Sequence, residues 1–180
     1  AGRDQQQVVE IVYKVAQHLK YLNEECGCTH GDIKPRNVMQ TKIETSTGIE
    51  YAWVMIDLDA SCTVGSRAGQ KITSSAYLSP EMARQLLQPT SEADFDFVKA
   101  SLHLEMWAFG VMLYQLCTQD GETLWHTNQA DNIDDVQLHQ LAYQWSVVKE
   151  AKLRKIVWPR AEHLARWLLH EDSSRRPHTW

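Results

Sequence analysis

Apolar residues fall at Val8, Val12, Val15, Leu19 and Leu22, in steps of four and three, which is one face of an α-helix over residues 8–22. Gly27 follows as a helix-ending residue. Residues 29–37 are polar and contain Gly31 and Pro35, so they predict a loop. Two short strands are predicted at 38–40 and 51–56, joined through the polar Thr45-Ser46-Thr47-Gly48. Residues 57–81 are rich in Ser, Gly and Thr and predict a long loop of the kind that usually carries function. Leu102–Cys117 is apolar on nearly every side, with Met106, Trp107, Phe109, Val111, Met112, Leu113 and Leu116, and predicts a helix at the centre of the core. Gly121 closes it, and residues 122–135 predict a polar, acidic surface loop in which Asp131 to Asp135 form a solvated face. Helices over 136–148 and 161–170, the second led by Pro159, complete the pattern. The expected architecture is one compact α+β unit, mainly α-helical, with a small β-hairpin carrying the polar loops.

Composition narrows the class. Of 180 residues, 43% are hydrophobic and 23% charged, as in an ordinary globular domain with a sizeable core. The net charge of −5 argues against a nucleic-acid binder, which usually shows a basic face. No apolar run reaches the roughly 18 residues of a membrane helix, and no signal-peptide pattern opens the chain. Four cysteines are too few for a disulfide scaffold and suggest a reduced, cytoplasmic protein. Cys26, Cys28 and His30 lack a second ligand pair at zinc-like spacing, so a metal cluster there is a minor alternative. The chain starts at Ala1, and Arg176-Pro177 resembles the start of a helix that then stops, so the sequence is expected to be an excerpt cut at both ends.

The densest chemistry lies in His30-Gly31-Asp32-Ile33-Lys34-Pro35-Arg36-Asn37. Asp32 can accept or orient a hydroxyl proton, Asn37 can hold a divalent metal, and Lys34 can neutralise phosphate charge. Asp57 lies 25 residues after Asp32, and a hairpin would bring it back beside Asn37. That pair of hard oxygen donors suits Mg²⁺. Plainer roles exist for each. Asp and Asn are common turn formers, and Asp57 could simply cap a strand. Asp59 fits a cap or surface acid better than a third ligand. Thr73, Ser74 and Ser75 fit ordinary loop residues as well as phosphorylation sites, and the seven tryptophans fit core packing.

Taken in order, these motifs resemble the C-terminal lobe of a eukaryotic-type protein kinase. His30-Gly31-Asp32 with Asn37 is similar to the catalytic-loop pattern H-R-D-L-x-x-x-N. Asp57-Leu58-Asp59 sits where the family has D-F-G, and Ser79-Pro80-Glu81 after Tyr77 resembles A-P-E. Glu105-Met106-Trp107-Ala108-Phe109-Gly110 is similar to the central-helix motif D-x-W-S-x-G, and Arg176-Pro177 to the late R-P motif. The resemblance spans nearly the whole chain. It implies Asp32 as catalytic base, Lys34 as the phosphate-contacting residue, Asn37 and Asp57 as Mg²⁺ ligands, and Ser74 as the substrate-touching residue of the Ser/Thr class. It implies structural roles for His30 and Leu58 in a packed spine, for a Glu81–Arg176 ion pair, and for Glu105 as the anchor of the catalytic-loop backbone. ATP and a protein substrate follow as co-substrates.

The chain also departs from the family. Gly31 replaces an Arg that grips an activation-loop phosphate, so control by that phosphorylation is not implied. Asp59 replaces a Gly, and Glu105 an Asp. None of the eight glycines forms G-x-G-x-x-G, and no upstream Lys or Glu of the nucleotide-covering half is found. An upstream N-terminal lobe is therefore expected as a partner, and these 180 residues alone are expected to be nearly inactive. Two other functions are compatible with the motifs: a pseudokinase binding module, and, more distantly, a small-molecule phosphotransferase of the aminoglycoside or choline type, which also uses His-Gly-Asp.

Overall fold

A computed structural model describes residues 4–69, 71, 74–88 and 97–177. The first helix, α1 (Gln5–Glu24), starts where the Asp4 side chain accepts a hydrogen bond from the Gln6 amide. It buries Val8, Ile11, Val15 and Leu19. Val12, which the spacing places on the buried stripe, lies at its edge, and Ile11 takes the inner position. A short strand β1 (Cys28–Thr29) leads into the His30–Asn37 loop, and a 3₁₀ turn at Pro35–Asn37 closes that loop.

Strands β2 (Val38–Thr45) and β3 (Gly48–Met55) pair antiparallel from Val38 opposite Met55 to Thr45 opposite Gly48. The hairpin is longer than the two short strands that the sequence predicts. Val38, Trp53 and Met55 at its base pack on the core, whereas Ile43, Ile49 and Tyr51 in the distal half are exposed. Hydrogen bonding between the backbones carries the ladder past the point where burial supports it.

The predicted loop at 57–81 is more ordered than expected. Its start contains β4 (Cys62–Thr63), which pairs antiparallel with β1. A 3₁₀ turn at Ser75–Tyr77 precedes helix α2 (Pro80–Leu87). Ser79 caps α2 through its hydroxyl, and Pro80 occupies the first helical turn. Thr73 lies outside the described residues.

Helix α3 (Leu102–Cys117) matches the predicted span and runs through the middle of the core. Helix α6 (Pro159–Leu168) packs across it at Gly110. A Cβ at Gly110 would lie 2.8 Å from the Leu168 Cβ and 2.9 Å from the Leu169 side chain, so only glycine permits this approach.

The 136–148 helix is two helices, α4 (Asp135–Tyr143) and α5 (Trp145–Leu153). The chain breaks at Gln144 (φ −129°, ψ 14°), which lets Trp145 turn inward. Trp145 donates its indole N–H to the Leu169 carbonyl at 2.9 Å and meets Trp107 edge-on at 5.2 Å. The 122–135 segment is not wholly a surface loop, because Leu124, Trp125 and Asp131 are buried. Of the described tryptophans, Trp107, Trp125 and Trp145 are buried, Trp53 and Trp158 pack against the core, and Trp167 is 55% exposed. No helix among the described residues is long and apolar enough to cross a membrane.

Candidate active site

The His30–Asn37 loop hangs from α3. Glu105, in the first turn of α3, is 3% exposed and accepts the His30 amide at 2.6 Å and the Gly31 amide at 3.2 Å on one carboxylate oxygen. The other oxygen accepts from Asn23 at 2.9 Å. Burial pushes the Glu105 carboxyl up to about 7, against the pull of these three donors toward the charged form. Asn23 also donates to the Cys28 carbonyl, tying the end of α1 to the same loop.

His30 is fully buried, and both ring nitrogens are engaged. Nε2 donates to the Ile56 carbonyl at 3.2 Å, and Nδ1 accepts the Asp32 amide at 3.3 Å. Burial lowers the imidazole pKa, so the ring is a neutral strut between the His30–Asn37 loop and the end of β3. Cys28 points its thiol at the Cys26 carbonyl. Among the described residues, no group of three or more His, Cys, Asp or Glu is placed to hold a metal ion.

The polar centre is built from Asp32, Lys34, Asn37 and Ser74. Lys34 Nζ lies 2.7 Å from Asp32 Oδ2 and donates to Ser74 Oγ at 2.8 Å, bridging the catalytic loop and the loop before α2. Asn37 Nδ2 donates to the Asp32 carbonyl at 2.8 Å and to Asp32 Oδ2 at 3.0 Å. Asp32, Asn37 and Ser74 are buried. These bonds hold the Asp32 carboxylate in one orientation.

Asp57 is exposed at the end of the hairpin. The Ile56 amide donates to the Asn37 carbonyl at 2.9 Å, so Asp57 leaves the strand next to Asn37, as the spacing predicts. Its φ of 66° turns the chain away from the sheet. Leu58 follows that turn and is 51% exposed. Asp59 is a surface acid paired with Lys71 at 2.8 Å, and that ammonium holds its carboxyl below the usual range.

Gly31 has a structural reason. Its φ is 81°, and a Cβ there would run into the Ala60 carbonyl oxygen and lie 2.8 Å from the carbonyl carbon. Ser61 Oγ donates to the Thr29 carbonyl at 2.6 Å beside this contact. The segment after Asp59 therefore begins flush against the His30–Asn37 loop. A cavity of about 80 Å³ opens beyond, lined by Gly31, Asp32, Ala60, Ser74, Leu78 and Met82.

The model of the family described as "Protein kinase domain" matches residues 2–179. The chain belongs to the protein kinase family. Its fold is similar to that of a solved viral kinase, the PK-1 kinase of Cydia pomonella granulovirus, with a TM-score of 0.62 at 19% sequence identity. The match covers 96% of this chain and 54% of the viral one, so the chain spans about half that kinase's length. No curated protein matches the sequence.

In this kinase chain, Glu81 and Arg176 pair bidentately at 2.6 and 2.8 Å. The Arg176 side chain is 0% exposed and that of Glu81 19%, so the pair is buried on the Arg side only. The remaining donors of Arg176 reach the carbonyls of His103, His170 and Glu171.

Sequence reasoning missed Asn23, Ala60, Arg36 and Asp131. Arg36 pairs with Asp131 at 3.5 Å and donates to the Gln129 carbonyl at 3.1 Å. A basic residue between Lys34 and Asn37 was a visible signal, but its acidic partner lies 95 positions downstream with no motif around it. Helix α2 also had a readable signal, since Ser79-Pro80-Glu81 is a helix-start pattern as well as a family motif.

Proposed function

We propose that this chain is the C-terminal lobe of a Ser/Thr protein kinase, and that it transfers the γ-phosphoryl group of ATP to a protein hydroxyl. The observation that carries this is the Asp32–Lys34–Ser74 bridge, which aims one carboxylate and one ammonium at the same buried place. Asp32 orients the substrate hydroxyl and accepts its proton as the new phosphorus–oxygen bond forms and the bond from the γ-phosphorus to the departing ADP breaks. Lys34 offsets the charge that builds on the transferring phosphoryl oxygens. Ser74, held by Lys34, touches the incoming Ser or Thr. His30 and Glu105 keep the loop's shape without touching the substrate.

The donor set fits Mg²⁺. Asn37 commits its amide N–H₂ to Asp32, which leaves its carbonyl oxygen as the metal-facing atom, and Asp57 is an exposed carboxylate beside it. Asn37 and Asp57 would hold the ion, which would supply charge neutralisation on the phosphates. An upstream N-terminal lobe would complete the nucleotide site. This is supported by the missing G-x-G-x-x-G and by coverage of only 54% of the viral kinase. The four free thiols fit a reducing cytoplasm.

The test is phosphoryl transfer from labelled ATP to a generic basic protein, using the chain extended by its natural upstream sequence. Asp32→Asn is expected to bind nucleotide normally and lose transfer, and Asp57→Ala to lose metal-dependent nucleotide binding. Equal loss of binding in both variants would overturn this division of roles. Transfer by neither wild type nor variant, in a folded chain, would favour the pseudokinase alternative.

A further inference from the structure

Ser74 meets Lys34 on one side, and on the other its chain runs into a clasp built by residues 128–133. Asn132 Oδ1 accepts the Ser75 amide at 3.0 Å, and Ser75 Oγ accepts the Ile133 amide at 2.9 Å. The Ala76 amide donates to the Asp131 carbonyl at 3.1 Å. Two consecutive amides after Ser74 are thus held from one loop, and one of the holding atoms is a side-chain oxygen.

The clasp is itself rigid. Asn128 Oδ1 accepts the Ala130 amide at 2.9 Å and the Asn132 amide at 3.0 Å, while the Asn128 amide donates to the Asn132 carbonyl at 3.0 Å. Asp131 sits at the apex with φ 59°, a left-handed position that Asp tolerates better than most residues. Its carboxylate faces Arg36, which also donates to the Gln129 carbonyl. Arg36 belongs to the catalytic loop, between Lys34 and Asn37. The same short turn therefore grips both loops that contribute to the polar centre.

We infer that Asn132 is a positioning residue for phosphoryl transfer to the protein substrate: by fixing the Ser75 peptide it sets where Ser74, and with it the acceptor hydroxyl, stands relative to Asp32. The inference rests on the function proposed above. Removing the Asn132 oxygen leaves the buried Ser75 amide without its acceptor, a loss that commonly weakens a state several-fold or more. The nucleotide side of the site, at Asn37 and Asp57, makes none of these bonds, so its chemistry is spared.

The experiment compares wild type, Asn132→Ala and Asn132→Asp in the chain extended by its natural upstream sequence. Asn132→Asp keeps a side-chain acceptor at the same place. Three quantities are read: kcat and KM for a protein substrate, ATP hydrolysis without protein substrate, and hydrogen exchange at the Ser75 and Ala76 amides. For Asn132→Ala we expect kcat/KM for the protein to fall about tenfold, equivalent to about 1.4 kcal/mol, with ATP hydrolysis unchanged and faster exchange at both amides. Asn132→Asp is expected to recover to within about threefold of wild type. Parallel loss of protein transfer and ATP hydrolysis, or an Asp variant no better than Ala, would overturn the positioning role. If wild type transfers nothing to protein, the proposed function fails. The clasp is then judged by exchange alone, and unchanged exchange in Asn132→Ala overturns it.

Discussion

Glu105 places a carboxylate beneath the peptides of His30 and Gly31 at the cost of desolvating it. Its pKa rises from 4.5 to about 7, so the folded protein binds a proton there more tightly than the unfolded chain. The stability this confers is complete below pH 4.5 and is lost as pH rises through 7. Glu105→Gln keeps an oxygen for both backbone amides and cannot ionise. In urea titrations between pH 5 and 8, the wild type is expected to lose about 2–3 kcal/mol relative to this variant. Sequence comparison marks Glu105 as an anchor because it stands in a motif. It is silent on Asn23, whose role depends on the end of α1 arriving beside α3. Gly31 was legible only as a departure. Its cause, the Ala60 backbone, belongs to a segment whose path has no periodic signal.

At the scale of elements, periodicity found what burial dictates. Helix α3 is surrounded by core and its limits were readable to the residue. The hairpin was underestimated because its distal half has no buried face to impose an alternating pattern. That half is held by ladder bonds and a few exposed hydrogen bonds of Thr45 at the turn, with no core packing, so it should open independently of the domain. Amides from Ile43 to Tyr51 are expected to exchange much faster than those of Val38–Gln40 and Trp53–Met55, as hydrogen exchange read by mass spectrometry or NMR would show. Uniform protection along both strands would contradict this. The break between α4 and α5 was invisible for a related reason: no Gly or Pro marks Gln144, and the turn follows from burying Trp145 against Trp107.

Across the whole molecule, the ordered motifs made the family legible, while the contacts that assemble it join residues far apart in the chain. Arg176 is the clearest case. It uses five N–H donors to draw Glu81, His103, His170 and Glu171 to one buried point against Trp107. Arg176→Ala leaves those carbonyls and the carboxylate unsatisfied, and is expected to cost about 3–5 kcal/mol in chemical denaturation. Arg176→Lys should recover little, because an ammonium cannot reproduce the planar fork. A loss below about 1 kcal/mol would show that water replaces the guanidinium. The pairing also has a consequence in time. Ribosomes add about 5–20 residues per second, and Glu81 waits 95 residues for its partner. For several seconds of each synthesis, the segment bearing Ser74 and α2 exists without its tether. The newborn chain cannot close this tether before Arg176 has been made.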